Sequence, residues 1–141
     1  MILQSLSLAN FRSYGKRAFQ FSPQTTLIIG PNASGKTNIL EAIMFCATGK
    51  SFRADQDQEA IRWDQDIARV TTRVDTTSLE LMLTHGEVGG QKAPLKKYLV
   101  NGVARRMVDF VGNLRAVLFW PEHLELVTDS PSYGGDTLIV F

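Results

Sequence analysis

Apolar and polar positions alternate near the start of the chain and merge into a broad apolar band further on, so the two regions predict different elements. Leu6 and Leu8 alternate with Ser5 and Ser7, and Phe19 and Phe21 flank Gln20, the period of two expected of half-buried strands. Asn10-Phe11-Arg12-Ser13-Tyr14-Gly15 lies between them, with turn-forming residues at both ends. Residues 25–29 are a short, β-branched, apolar run that stops at Gly30 and predict a buried strand. From Gly35 to Thr48 the period changes. Ile39, Leu40, Ile43, Met44 and Ala47 recur at helical spacing, and Phe45 and Cys46 widen the apolar surface to most of the girth, as in a buried helix. Gly49 is placed to stop it.

Residues 51–66 are polar and irregular. Strand-like runs follow at 69–74 and 78–84, and the Asp75-Thr76-Thr77 link is short enough for a hairpin. Residues 85–94 hold three glycines and a proline and read as a loop. Residues 97–100 and 103–106 flank Asn101-Gly102, the pair suited to a type I′ turn. Residues 108–114 predict a short helix, 115–120 a strand stopped by Pro121, 122–127 a helical turn and 136–141 a further strand. One helix followed by hairpins is not the order of an alternating strand–helix ladder. Trp63 and Trp120 are expected to be core or edge aromatics.

The chemistry enters where the third apolar run meets the helix. Gly30-Pro31-Asn32-Ala33-Ser34-Gly35-Lys36-Thr37 matches the phosphate-loop pattern G-x-x-x-x-G-K-[ST] in full, after a strand and at the opening of a helix. The glycines permit backbone angles that turn successive N–H groups toward phosphate oxygens, and the helix adds its positive end. Lys36 is expected on the β- and γ-phosphates, and the Thr37 hydroxyl on Mg²⁺. Hydrolysis also needs a carboxylate at the end of a neighbouring strand. The run Ala116-Val117-Leu118-Phe119 is followed by Trp120-Pro121-Glu122, with no Asp, and the run at 136–141 ends where an acid would stand. The expectation is nucleotide binding without a complete hydrolytic site in this chain.

Composition narrows the classes. Of 141 residues, 44% are hydrophobic and 21% charged, ordinary for a globular protein, and the formal net charge of +1 announces neither nucleic acid nor membrane. Cys46 is the only cysteine, which excludes an internal disulfide. No apolar run reaches the length of a membrane span and Met1-Ile2-Leu3-Gln4 is not a leader, so the expected location is the cytoplasm.

Several segments together resemble the RecF family of DNA-repair ATPases and, more distantly, the SMC-type ATPases. They are Leu6-Ser7-Leu8-Ala9-Asn10-Phe11-Arg12-Ser13-Tyr14, the phosphate loop with its continuation Asn38-Ile39-Leu40-Glu41-Ala42-Ile43, Lys50-Ser51-Phe52-Arg53, Val100-Asn101-Gly102, and Leu118-Phe119-Trp120-Pro121-Glu122 with the residues up to Val127. The resemblance implies an α/β fold of the ABC/SMC P-loop type, with a mixed sheet, a hairpin-rich layer and one buried helix after the loop. It implies ATP with Mg²⁺, ATP-dependent dimerisation on DNA, gapped duplexes or single-strand/double-strand junctions as substrates, and RecO and RecR as partners in the repair of gaps and stalled forks. It covers residues 1–132 as one ATP-binding lobe. Residues 133–141 diverge from the family, as a truncation or rearrangement with a possible join at Gly134-Gly135, and the signature motif and Walker B acids have no counterpart.

By the same resemblance Arg12, Asn32 and Asn38 stand near the nucleotide, and Glu122 corresponds to a loop that senses the metal or attacking water. Arg12 as a solvated turn residue and Glu122 as a helix cap are the competing readings. Lys50 and Arg53 are candidates for nucleotide or DNA contact, or for a favourable helix C-terminus. Lys92, Lys96, Lys97, Arg105 and Arg106 gather around the Asn-Gly hairpin as DNA-contact candidates, or as a solvated face. A metabolite kinase and a non-catalytic ATP-binding interaction module remain as alternatives. The kinase predicts parallel strands separated by helices.

Overall fold

A computed structural model describes residues 1–31, 35–118 and 136–140. The chain opens with an antiparallel pair, β1 (Leu3–Phe11) and β2 (Tyr14–Gln20), closed by the Arg12-Ser13 turn. Next come β3 (Leu27–Pro31) and the helix α1 (Lys36–Thr48). After a 3₁₀ turn at Asp57–Ala60 the chain forms β4 (Ile67–Val74), β5 (Thr77–Thr84), the short β6 (Glu87–Val88) and β7 (Gln91–Lys92), then β8 (Lys96–Val100), β9 (Val103–Arg105) and one helical turn, α2 (Met107–Phe110). The last described element is β10 (Asp136–Val140).

Six strands form one antiparallel sheet in the order β2-β1-β4-β5-β8-β9. Its inward positions are mostly apolar and buried: Leu6 and Leu8 on β1, Val70 and Val74 on β4, Leu79, Leu81 and Leu83 on β5, with the polar Thr72 buried among them. Helix α1 lies on this face and presents Ile39, Ala42, Phe45 and Cys46 to it. The Phe11 and Phe45 rings meet edge to face, with centroids 5.9 Å apart. Cys46 is sealed in this layer, and burial pushes its thiol up to about 12. The hairpin-rich layer and the single buried helix are therefore present. Every described strand pairing is antiparallel, so the described residues show no parallel pairing of the mixed sheet that was expected.

The turns follow local chemistry. Asn101 (φ 51°) and Gly102 (φ 79°) both occupy left-handed backbone, the requirement of a type I′ turn. Asp75 (φ 52°) does the same service between β4 and β5.

Other expectations are corrected. The strand expected at 25–29 is displaced to Leu27–Pro31 and is not buried: Leu27 and Ile29 are exposed, Ile29 at 65%, because β3 pairs antiparallel with β10 and only Ile28 turns toward the core. The helix expected at 108–114 is the single turn of α2, since Val111 is extended and Gly112 enters left-handed backbone at φ 97°. Residues 115–118 form no strand, and 119 and 120 lie outside the described residues, as does the turn expected at 122–127. The loop expected at 85–94 contains the β6–β7 hairpin. Trp63 is 92% exposed, carried outward on a turn where Asp64 adopts φ 64°. No helix among the described residues is long and apolar enough to cross a membrane.

Candidate nucleotide-binding site

Gly35 begins the site. Its φ of 90° lies in left-handed backbone, and an added Cβ would meet the Tyr14 hydroxyl at 2.8 Å and the Ser13 hydroxyl at 3.0 Å. Glycine is therefore required twice, by its angle and by its neighbours. Tyr14 donates its hydroxyl proton to the Gly35 carbonyl at 3.1 Å, and Asn38 Nδ2 donates to Ser13 Oγ at 3.0 Å. The β1–β2 turn is thus pinned onto the first turn of α1, whose Asn38 and Ile39 N–H groups donate to the Gly35 carbonyl.

Lys36 is the first residue of α1. It is 4% exposed, and its Nζ has no hydrogen-bond partner among the described residues. A buried ammonium without a partner is costly unless an anion completes it. Thr37 follows, half-buried on the same turn. The side chain of Pro31, the surroundings of Gly30, and Asn32, Ala33 and Ser34 altogether lie outside the described residues, as does Glu122.

One turn further along α1, Glu41 is fully buried. Its carboxylate accepts Arg12 Nε at 2.7 Å and Arg12 Nη2 at 2.8 Å, a fork-on-fork pair, together with Ser51 Oγ at 2.7 Å and Arg53 Nη2 at 3.2 Å. Arg53 also donates to Asn38 Oδ1. Burial raises the Glu41 pKa, but the hydrogen bonds from Arg12, Arg53 and Ser51 outweigh it and hold the carboxyl below its ordinary range. The hydrogen bond to Glu41 raises Arg12 in turn, against the cost of its desolvation. Arg12 is therefore neither a solvated turn residue nor free of other duties: its guanidinium bridges the β1–β2 turn to α1. Two guanidiniums share the Glu41 carboxylate, and Glu59 adds a second negative charge within electrostatic reach of Arg12, so the cluster is balanced within itself. The buried Lys36 suits a polyanion in front of α1.

Sequence reasoning misses Glu41, Tyr14 and Ser51 as site residues. The available signal is a glutamate set in an otherwise apolar helix, five residues after the phosphate-loop lysine.

The DNA-contact candidates separate. Lys96 pairs with Asp57 and donates to the Gly49 carbonyl at 2.9 Å, so it closes the C-terminus of α1. Lys50 is exposed next to Gly49. Arg106 pairs with Asp109 at 3.1 Å. Lys97 and Arg105, on adjacent strands, occupy positions of opposite parity and face opposite sides of the sheet. Lys92 lies apart on β7. Among the described residues no three His, Cys, Asp or Glu side chains gather as a metal site.

A family model described as an AAA domain matches residues 5–111, a span that takes in the β1–β2 turn, the phosphate loop, α1 and the hairpin layer. The chain belongs to the AAA domain family. Within it, this AAA domain is 40% identical over 132 residues to the DNA replication and repair protein RecF of Halalkalibacterium halodurans, and 42% identical over 131 residues to that of Limosilactobacillus fermentum. Each match covers 93% of this chain and 34% of the relative, so the chain spans about a third of the length of these relatives. Among solved structures, a complex of the recombination mediator protein RecF with ATP superimposes with a TM-score of 0.73 at 28% identity, over 92% of this chain and 36% of that one. An SMC ATPase structure superimposes with a TM-score of 0.71 over 93% of both chains at 21% identity, a likeness of fold.

Proposed function

We propose that this chain is the ATP-binding lobe of a RecF-like replication and repair protein, and that it holds ATP with Mg²⁺ at the start of α1. The observation that carries the reading is the buried Lys36 ammonium, without a partner among the described residues, behind a left-handed Gly35. In this reading the loop amides and Lys36 hold the phosphates, and Thr37 supplies a hydroxyl to Mg²⁺. Bound Mg²⁺ would neutralise charge between the phosphates. Arg12 and Arg53, both held by Glu41, brace the β1–β2 turn and the segment after α1 against the helix. The antiparallel layer speaks against the metabolite-kinase alternative, which calls for strands separated by helices.

The RecF relatives are replication and repair proteins by name, and one solved RecF carries ATP. On that basis the lobe binds DNA in a nucleotide-dependent way within a longer protein, which dimerises with ATP and works with RecO- and RecR-type mediators at gapped duplexes. Turnover belongs to that longer protein.

ATP with Mg²⁺ is expected to raise the melting temperature, and Lys36→Ala to abolish the rise. At a hundredfold excess over Kd the stabilisation is about 2.7 kcal/mol. Absence of any shift with ATP, ADP or GTP in a folded wild-type chain defeats the reading.

A further inference from the structure

The strand register sorts the charged residues of the six-stranded sheet onto two faces. One face packs on α1. On the other, the pairings Lys16↔Ala9, Ala9↔Arg69, Arg69↔Met82 and Met82↔Lys97 run as a single row across β2, β1, β4, β5 and β8. Lys16, Arg69 and Lys97 are all exposed. Arg73, four residues along β4 from Arg69, is exposed on the same face. Among the described strand residues of this face, Glu80 is the only acid.

We propose that this outer sheet face is a docking surface for the sugar-phosphate backbone of a nucleic acid. The inference rests on the DNA-binding reading above and places its contact away from the nucleotide. A solvated sheet face carries both signs, and the whole chain has 15 Lys and Arg against 14 Asp and Glu. Here four cations stand against one carboxylate, so the imbalance belongs to this face and not to the composition. Adjacent strands lie about 4.8 Å apart, so the Lys16–Arg69–Lys97 row spans about 19 Å with a cation on every second strand. A duplex presents a phosphate every ~3.4 Å of axis on each strand, so each long cationic side chain finds a phosphate whatever the register. The floor is low. Ser7, Ala9, Ala18 and Thr71 lie between the cations, in a shallow depression that Lys16, Arg69 and the acid Glu80 also line. The Ser7 and Thr71 hydroxyls can donate to phosphate oxygens, and Glu80 is outnumbered there by Lys16 and Arg69. Contacts of this kind position a nucleic acid without reading its sequence.

The test is fluorescence anisotropy with a labelled gapped duplex across a salt series, with and without ATP–Mg²⁺. It compares the wild-type chain, the triple variant Lys16→Glu/Arg69→Glu/Lys97→Glu, its neutral counterpart Lys16→Gln/Arg69→Gln/Lys97→Gln, and Arg105→Glu. The plot of log K against log salt is expected to flatten by about one unit for each phosphate that is no longer neutralised, close to three in the neutral triple variant, with little change for Arg105→Glu. The ATP-induced rise in melting temperature should survive in both triple variants, which shows them folded. A wild-type slope in folded triple variants overturns this inference and leaves the DNA-binding reading standing. No binding by the wild-type chain at any salt, in either nucleotide state, removes that reading and the inference with it.

Discussion

At the scale of single residues, the energetic centre of the site is Glu41. A carboxylate with no exposed surface is costly unless paired and hydrogen-bonded, and Arg12, Arg53 and Ser51 together supply that compensation. Glu41→Gln keeps the shape but leaves two guanidiniums without their anion. Loss of about 3–5 kcal/mol at neutral pH is expected. The pH dependence follows from the sign of the shift. The folded carboxyl titrates below its ordinary value, so its contribution is complete above the ordinary carboxylate range and is lost as pH falls through the lower folded value. Thermal melts from pH 3 to 7 should therefore show a steep acid limb in the wild type and a shallower one in Glu41→Gln; two parallel curves would sink this account. A glutamate in an apolar stretch marks the position, but its partners are not legible there, because they stand 29 residues before it and 10 and 12 after it. Gly35 and Lys36 are legible as positions, because one contiguous pattern places the left-handed glycine directly before the buried lysine.

At the scale of elements, the hairpins are readable because their turns are local chemistry. Asn101 illustrates the point and adds a longer link. It tolerates left-handed backbone, its Oδ1 accepts the Ser78 N–H at 2.9 Å, and its own N–H donates to the Ser78 carbonyl at 2.8 Å. The turn between β8 and β9 is thereby sewn to the start of β5. Asn101→Ala removes the acceptor and places a Cβ residue at positive φ without local compensation. Urea titration should show a loss of about 1–3 kcal/mol, whereas Asn101→Gly should cost less. Equal losses in the two variants would mean that the backbone angle is irrelevant. Residues 107–118 mislead for the complementary reason. Their apolar spacing allows a helix and then a strand, but Gly112 breaks the first, and the second finds no neighbour to pair with among the described strands.

At the scale of the whole molecule, stability should grade outward from the layer between α1 and the sheet. Strands β1, β4 and β5 are paired on both edges and packed beneath α1, while β6, β7 and β9 are short and β3 carries exposed Leu27 and Ile29. Amide exchange is expected to be slowest in β1, β4, β5 and the centre of α1, and faster in β3, β9 and the β6–β7 hairpin. Uniform protection across all strands would contradict a core confined to one face of the sheet.

The residue order alone determined the G-x-x-x-x-G-K-[ST] pattern, the helix that follows it, and most strand–turn–strand units. Each is set by neighbours within about ten positions, where glycine angles, β-branching and apolar period act directly on the backbone. Tertiary structure decided what those units do to one another. It buried Glu41 beneath two distant arginines, gave Lys96 to the end of α1, left β3 half exposed, and dispersed the hairpin cations while aligning Lys16, Arg69 and Lys97 across strands. These outcomes depend on register and packing between segments far apart in the chain, for which loop closure and burial, rather than local preference, set the free energy.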